Sequence, residues 1–216
     1  MRILLLLLTL VASAEIVDRL AVSVGDEIIT EQQVFLHLKT AAFLNGEPVK
    51  TDPTDKKRAA QKLIEIALIR IELENNRYPM PNESEIAEYF DSILKQRFNG
   101  DAAKYKAALA QYGITDAEFR ESLMQQLATL AFIDFRFRPG VQIPEDEIRE
   151  YYDYDYDREL KGKKKPSYNQ ARAAILEGLT QQRIDNLLDR WLNQTEAATK
   201  VRWIDAVFAA PQKEEK

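Results

Sequence analysis

Apolar residues recur at helical spacing along most of the chain, and strand-like alternation occurs mainly in two short stretches. The first stretch, at 20–29, surrounds a Gly25-Asp26 pair and predicts a two-stranded hairpin. The second, at 201–204, follows the last helical segment. Because a hairpin alone is only marginally stable, we expect 201–204 to pair with it as a third strand. This pairing brings the two ends of the chain together.

Helix-capping residues divide the long segment between these strands. Four pairs have the spacing of a capping box, in which two side chains three residues apart bond each other's backbone N–H groups. The pairs are Thr30–Gln33, Asn82–Glu85, Thr115–Glu118 and Ser167–Gln170. Apolar spacing adds helices at about 55–75 and 101–112, and Pro144 is expected as the first residue of a short helix. The predicted fold class is mainly α, a helical bundle with a small β-ribbon formed by strands from both ends.

The apolar faces of three helices predict the core. Residues 63–71 are apolar on nearly all sides, which is typical of a helix at the centre of a bundle. The helix after Thr115 has an apolar stripe, which consists of Phe119, Leu123, Leu127 and Leu130. The last helix has another, which consists of Ile184, Leu187, Leu188 and Trp191. We expect both stripes to be buried.

Residues 1–14 have the three parts of a secretory signal peptide. A positive charge at Arg2 precedes an apolar run, and small residues follow at Ala12 and Ala14. The run is shorter than the ~20 residues that a membrane-spanning helix needs. We therefore expect cleavage between Ala14 and Glu15, export, and no integral membrane segment in the mature protein. The alternative, a buried core helix, fits poorly so close to the start of the chain.

Net charge and cysteine content narrow the classes further. The chain has 30 Lys and Arg against 35 Asp and Glu, for a net charge of −5. A protein that binds nucleic acid needs basic surface to displace counterions, so we expect no nucleic-acid partner. The chain has no cysteine, so its stability has to come from apolar packing rather than from disulfides.

A change in composition suggests the domain organisation. Residues 153–166 have mixed charge and no apolar periodicity, which predicts a flexible charged linker. This linker separates a helical domain at 15–152 from a closing helix and strand at 167–208, which we expect to pack back on that domain. Residues 209–216 predict a disordered tail. A long linker also allows exchange of the closing helix in a domain-swapped dimer, and the oligomeric state stays open.

Few residues have the spacing of a catalytic or metal site. His37 is the only histidine, and the apolar residues on both sides of it predict a partly buried structural residue. The acidic run that begins at Asp153 has Arg158 and Lys164 where a calcium loop needs glycine and glutamate. We therefore expect no catalytic residue, no metal and no cofactor, and the chain is not predicted to be an enzyme.

Aromatic residues are the candidate binding residues. Six of them fall within three consecutive helices and are Tyr89, Phe90, Phe98, Tyr105, Tyr112 and Phe119. Short helices cannot bury all of them, so we expect an open apolar groove that suits extended polypeptide segments. The candidates for contact with such a segment are Tyr89, Phe98, Tyr105 and Tyr112.

Taken in order, these elements resemble those of the SurA-type periplasmic chaperones, the export-competent relatives of parvulin prolyl isomerases. The strand, turn and helix cap at 17–30 resemble the start of that family's N-terminal domain. Residues 63–86 are similar to its buried helix and the proline-marked junction that follows, and 112–120 to a helix-capping junction. Residues 143–148 resemble the segment that leaves this domain, and 191–204 the closing helix and strand.

The resemblance implies an ATP-independent chaperone of the bacterial periplasm whose partners are unfolded polypeptide clients, above all outer-membrane proteins. Family members usually carry one or two parvulin domains where this chain has the linker at 153–166. The chain also lacks the paired histidines and glycine-rich strand of a parvulin active site. Two alternatives stay open, which are a divergent peptidyl-prolyl cis-trans isomerase and a helical scaffold that binds one folded partner or itself.

Overall fold

The computed structural model describes residues 18–160, 162, 164–205 and 208. In this part of the chain, eight α-helices and a three-stranded antiparallel sheet confirm the predicted mainly-α class with a small β-ribbon. The signal peptide, its cleavage site at Ala14 and Glu15, and the tail at 209–216 lie outside the described residues. The elements, in chain order, are β1 (Leu20–Val24), β2 (Glu27–Thr30), α1 (Glu31–Asn45), α2 (Pro53–Asn75), α3 (Glu83–Phe98), α4 (Ala102–Tyr112), α5 (Asp116–Phe137), α6 (Glu145–Tyr154), α7 (Tyr156–Leu160), α8 (Tyr168–Ala198) and β3 (Val201–Trp203).

The sheet joins the two ends of the described chain, as predicted. Its strand order is β2-β1-β3, and both pairs are antiparallel. Val22 lies opposite Trp203 and Val24 opposite Val201. Gly25 adopts the positive φ of 59° that the turn between β1 and β2 requires. The buried face of β1 packs on α2, so the closing strand lies against the first half of the chain.

Local capping signals placed the helices correctly. All four predicted capping boxes are present, at the starts of α1, α3, α5 and α8. Gly46 and Gly113 follow α1 and α4 in the left-handed conformation, and their N–H groups bond the last carbonyls of those helices.

Three apolar clusters hold the helices together. The main core combines the sheet with α2 and with the C-terminal halves of α5 and α8, and the α2 residues Ile64 and Leu68 are fully buried in it. A second cluster joins the end of α1 to α3, α4 and the start of α5. A third joins α6 and α7 to the N-terminal half of α8. Because α8 has 31 residues, it extends for about 46 Å and connects the main core to the third cluster.

Two predictions about the apolar pattern are wrong. The expected linker at 153–166 contains the helix α7, because Tyr156 stacks on Tyr152 with ring centroids 6.0 Å apart and extends the third cluster. The stripe of α5 was expected to be buried along its length, but its last residue, Leu130, is 50% exposed. Beyond its midpoint α5 packs on the main core through Phe132 and Phe137 instead, which turns Leu130 away from the core.

We expect Phe132→Ala to lower the free energy of unfolding by about 3–5 kcal/mol. The ring is fully buried and meets Tyr78 and Trp191, with centroids 5.0 and 5.2 Å away, so its loss leaves a cavity where α5 and α8 meet. Urea unfolding followed by circular dichroism measures the loss. Phe135→Ala on the same helix is the matched control, because that ring is 54% exposed; we expect it to cost less than about 1 kcal/mol. Equal losses contradict this assignment of the core.

Candidate functional site

The four aromatic residues singled out in the sequence belong to one cluster. Phe98, Tyr105 and Tyr112 surround Phe43, with ring centroids 5.7, 6.3 and 5.7 Å from it. Tyr89 packs against the same cluster. The structure therefore brings the four residues together, but as part of the packing between α1, α3, α4 and α5.

Tyr105 and Tyr112 also use their hydroxyl groups within the protein. Tyr105 is only 3% exposed, and its hydroxyl donates a hydrogen bond to Asp116 Oδ1 over 2.7 Å. Burial, and then this bond to a carboxylate, raises the pKa of Tyr105. Tyr112 donates to the backbone carbonyl of Glu47 over 3.0 Å. The ring of Tyr105 faces the cluster interior, whereas Tyr89, Phe98 and Tyr112 stay partly exposed at its rim.

Next to this cluster lies an open groove with a volume of about 490 Å³. Helices α1, α2 and α5 each contribute one stripe of residues at helical spacing. The stripe of α1 consists of Gln33, Leu36, His37, Thr40, Ala41 and Leu44. That of α2 consists of Leu63, Ile66, Ala67 and Arg70. That of α5 includes Glu118, Ser122, Gln125, Gln126, Thr129 and Leu130.

The lining combines an apolar base with polar walls, most of whose side chains are uncharged. Ile29 and Ala67 are buried at its base, and Leu130 adds a half-exposed apolar side chain from α5. Carboxamide groups come from α1 and from two adjacent positions of α5, Gln125 and Gln126. A carboxamide both donates and accepts hydrogen bonds, so this lining suits a ligand that is apolar on one side and carries peptide-like polar groups.

Three charged side chains of the lining, Arg70, Glu118 and Glu121, set its charge. Arg70 makes a bidentate ion pair with Glu27 of β2, with Nε 3.0 Å from Oε1, and this hydrogen bonding raises the pKa of Arg70. Glu118 accepts hydrogen bonds from the backbone and hydroxyl of Thr115, which lower its pKa. Glu121 also lines the groove. Because Arg70 is already paired, the side chains of the lining carry more negative than positive charge, while Lys39 and Lys62 lie close to Glu118 and His37 from outside the lining.

His37 lies in this groove, and the sequence prediction of a partly buried histidine agrees with its half-buried position. Burial, and then the nearby charge of Lys62, lowers its pKa, so the imidazole is mainly neutral at pH 7. Among the described residues there is no group of three or more His, Asp or Glu that could hold a metal ion. No helix in the same part of the chain is long and apolar enough to cross a membrane.

Thr40 is the unusual residue of the lining. It is 5% exposed, and its hydroxyl oxygen is the one buried side-chain oxygen or nitrogen in the described chain that has no hydrogen-bond partner. The sequence does not predict this residue or the groove, because the groove is formed by three helices that are distant in the chain, and the aromatic residues predicted to bind a client belong to the neighbouring cluster. The available signal was the set of uncharged polar residues Gln125, Gln126 and Thr129 between Leu123 and Leu130 of α5.

We expect Tyr105→Phe to lower the free energy of unfolding by about 1–2 kcal/mol at pH 7 through loss of the bond to Asp116. Burial raises the pKa of Asp116, but hydrogen bonds from Tyr105 and Arg120 outweigh it and lower the pKa overall. A carboxyl with a lowered folded-state pKa stabilises the fold above its unfolded pKa, and this contribution is lost as pH falls through the folded pKa. The destabilisation by Tyr105→Phe should therefore shrink between pH 7 and about pH 3 in urea titrations.

Tyr112→Phe is the matched control, because Tyr112 donates to an uncharged carbonyl. Its destabilisation should be the same at both pH values. A pH-independent loss for Tyr105→Phe contradicts the assigned role of Asp116.

Comparison with models of known protein families and with curated proteins finds no match to this chain. Inferences about function therefore depend on the groove, on the fold that surrounds it and on the resemblance in the sequence.

Proposed function

We propose that this protein is an ATP-independent chaperone of the bacterial periplasm that holds unfolded exported polypeptides. The observation that carries the proposal is the open groove between α1, α2 and α5, with its apolar base and polar walls. Unfolded outer-membrane proteins are the client class that the sequence resemblance implies. Export of the chain rests on the signal peptide expected at residues 1–14.

The groove suits a segment of an unfolded chain better than a folded partner. Its volume of about 490 Å³ is typical of a site for a small ligand or a few residues. Folded proteins associate through larger surfaces, of about 800 Å² on each partner. Unfolded polypeptides expose both apolar side chains and peptide groups, which are the two kinds of group that this lining complements.

Weak binding fits a chaperone that uses no nucleotide. A flexible client loses conformational freedom when it is ordered on the groove, and this entropy offsets much of the contact energy. Several shallow contacts therefore hold a client reversibly, and release needs no external energy. The rim aromatics Tyr89, Phe98 and Tyr112 lie on the neighbouring cluster and extend the apolar surface available to a longer client. Tyr105 supports this surface from inside the cluster.

The mature chain should suppress aggregation of an unfolded outer-membrane β-barrel protein when the two are equimolar, measured by light scattering after dilution from urea. Leu130→Asp should weaken binding of the client by about tenfold, because it removes a half-exposed apolar contact and adds a charge that has to be desolvated. Because Leu130 lies outside the buried core, we expect the stability of the variant to change little.

Met124→Asp is the matched control. Met124 lies on the same helix and is similarly exposed, at 44%, but it does not line the groove. This variant should retain wild-type suppression. If the wild-type chain does not suppress aggregation, the chaperone proposal is wrong. If both variants lose suppression equally, the client does not bind in the groove.

A further inference from the structure

The unsatisfied hydroxyl of Thr40 points to a ligand that carries hydrogen-bonding groups. Threonine in a helix commonly bonds a carbonyl one turn earlier, but Thr40 has no such bond and no other partner among the described residues. A buried hydroxyl without a partner destabilises the protein. A bound group that pairs with this hydroxyl removes that free-energy cost, and binding of such a group is therefore favoured.

The hydroxyl of Thr40 is shielded from solvent. Threonine in a helix populates two χ1 rotamers. A change between them re-aims the hydroxyl without moving the backbone, which is the adjustment that pairing with a ligand in the groove requires. Ala41, which follows on the same stripe, is exposed and leaves the approach open.

Two carboxamides on α5 can complete the recognition of a peptide main chain. The side chains of Gln125 and Gln126 line the groove and make no hydrogen bond to another residue of the described chain. Each offers one acceptor and two donors, so it can pair with both groups of a peptide bond whatever the client side chain is. This chemistry recognises the backbone and is tolerant of sequence.

The dimensions of the groove favour an extended segment over a helix. Its α5 stripe runs from Glu118 to Leu130, a distance of about 18 Å, and an extended chain covers it with about five residues. Such a segment directs every second side chain towards the apolar base and keeps its main-chain groups free to bond. A helical segment has already satisfied its main-chain groups internally and gains nothing from Thr40 or the glutamines.

The charge of the groove selects among extended segments. Glu118 and Glu121 face the groove, whereas Arg70 is neutralised by its ion pair with Glu27. Acidic client residues are therefore repelled, and neutral or basic ones are favoured.

We propose, as a deepening of the chaperone function and resting on it, that the groove binds an extended client segment of about five residues through its main chain, with the Thr40 hydroxyl as the central contact and Gln125 and Gln126 beside it. The bound segment has apolar residues at alternate positions and no acidic residues.

Thr40→Val tests the central contact, because valine keeps the shape and removes the hydroxyl. The variant should have a Tm about 2–4 °C above the wild type when no peptide is present, since it removes a buried hydroxyl without a partner. The probe is a fluorescein-labelled nonapeptide in which leucine and threonine alternate and each end carries a lysine. In an anisotropy titration the variant should bind this peptide about fivefold more weakly than the wild type does. A purely structural threonine gives the opposite pattern, with lower Tm and unchanged binding. Thr180→Val, at a half-buried position of α8 outside the groove, is the matched control and should leave the affinity unchanged.

Modified peptides test main-chain recognition directly. The same nonapeptide, N-methylated at every second residue in either of the two possible frames, should bind several-fold more weakly in the frame that blocks the bonding groups. In that frame Thr40→Val should cause no further loss, as expected when both changes remove one hydrogen bond. A version with aspartate at both ends should bind more weakly than the lysine version, and a side-chain-stapled helical version should bind more weakly than both.

The outcomes separate this inference from the chaperone function. If the wild-type chain suppresses aggregation but Thr40→Val and both methylated peptides bind like their parents, the chaperone function stands and main-chain recognition is wrong. Tight binding of the stapled helix overturns the extended conformation. If no peptide binds and aggregation is not suppressed, the chaperone function itself fails.

Discussion

The three residues of β3 pair with β1 and thereby determine where the last helix lies. A hairpin of β1 and β2 alone is marginal, so the third strand stabilises the sheet on which α2 packs. The same pairing holds the C-terminal half of α8 against α2 and α5, where Ile184 and Leu192 complete the main core. The core is therefore built from both ends of the described chain, and neither end has a complete apolar environment without the other.

The groove exists because α1 and α5 each pack against both the main core and the second cluster. Val34 near the start of α1 belongs to the main core, whereas Phe43 near its end belongs to the second cluster. Helix α5 runs the other way, with Phe119 in the second cluster and Phe132 in the main core. Both helices are thus held at their two ends by different clusters. The space between the clusters is not filled by either, and the polar stripe of α5 faces it.

The features that the sequence predicted correctly are those decided by near neighbours in the chain. Capping boxes such as Thr30–Gln33 and the glycine after α4 depend on residues within one helical turn, and all were placed correctly. Leu130 was wrongly expected to be buried, because its exposure depends on which distant helix packs beyond the midpoint of α5. The helix α7 was missed for the same reason, since Tyr156 is held by the third cluster. The groove needs three helices to be positioned, so no single stretch of sequence reveals it.

The hydroxyl of Thr40 links stability to the proposed activity. It is a buried polar group without a partner in the described chain, and a ligand that pairs with it removes the free-energy cost of its burial. The gain on binding stays small, because a client in water exchanges one hydrogen bond for another and also loses conformational freedom. A site of this kind binds an extended segment weakly and reversibly. Reversible binding of many sequences therefore follows from recognition of the main chain, without a separate mechanism for release.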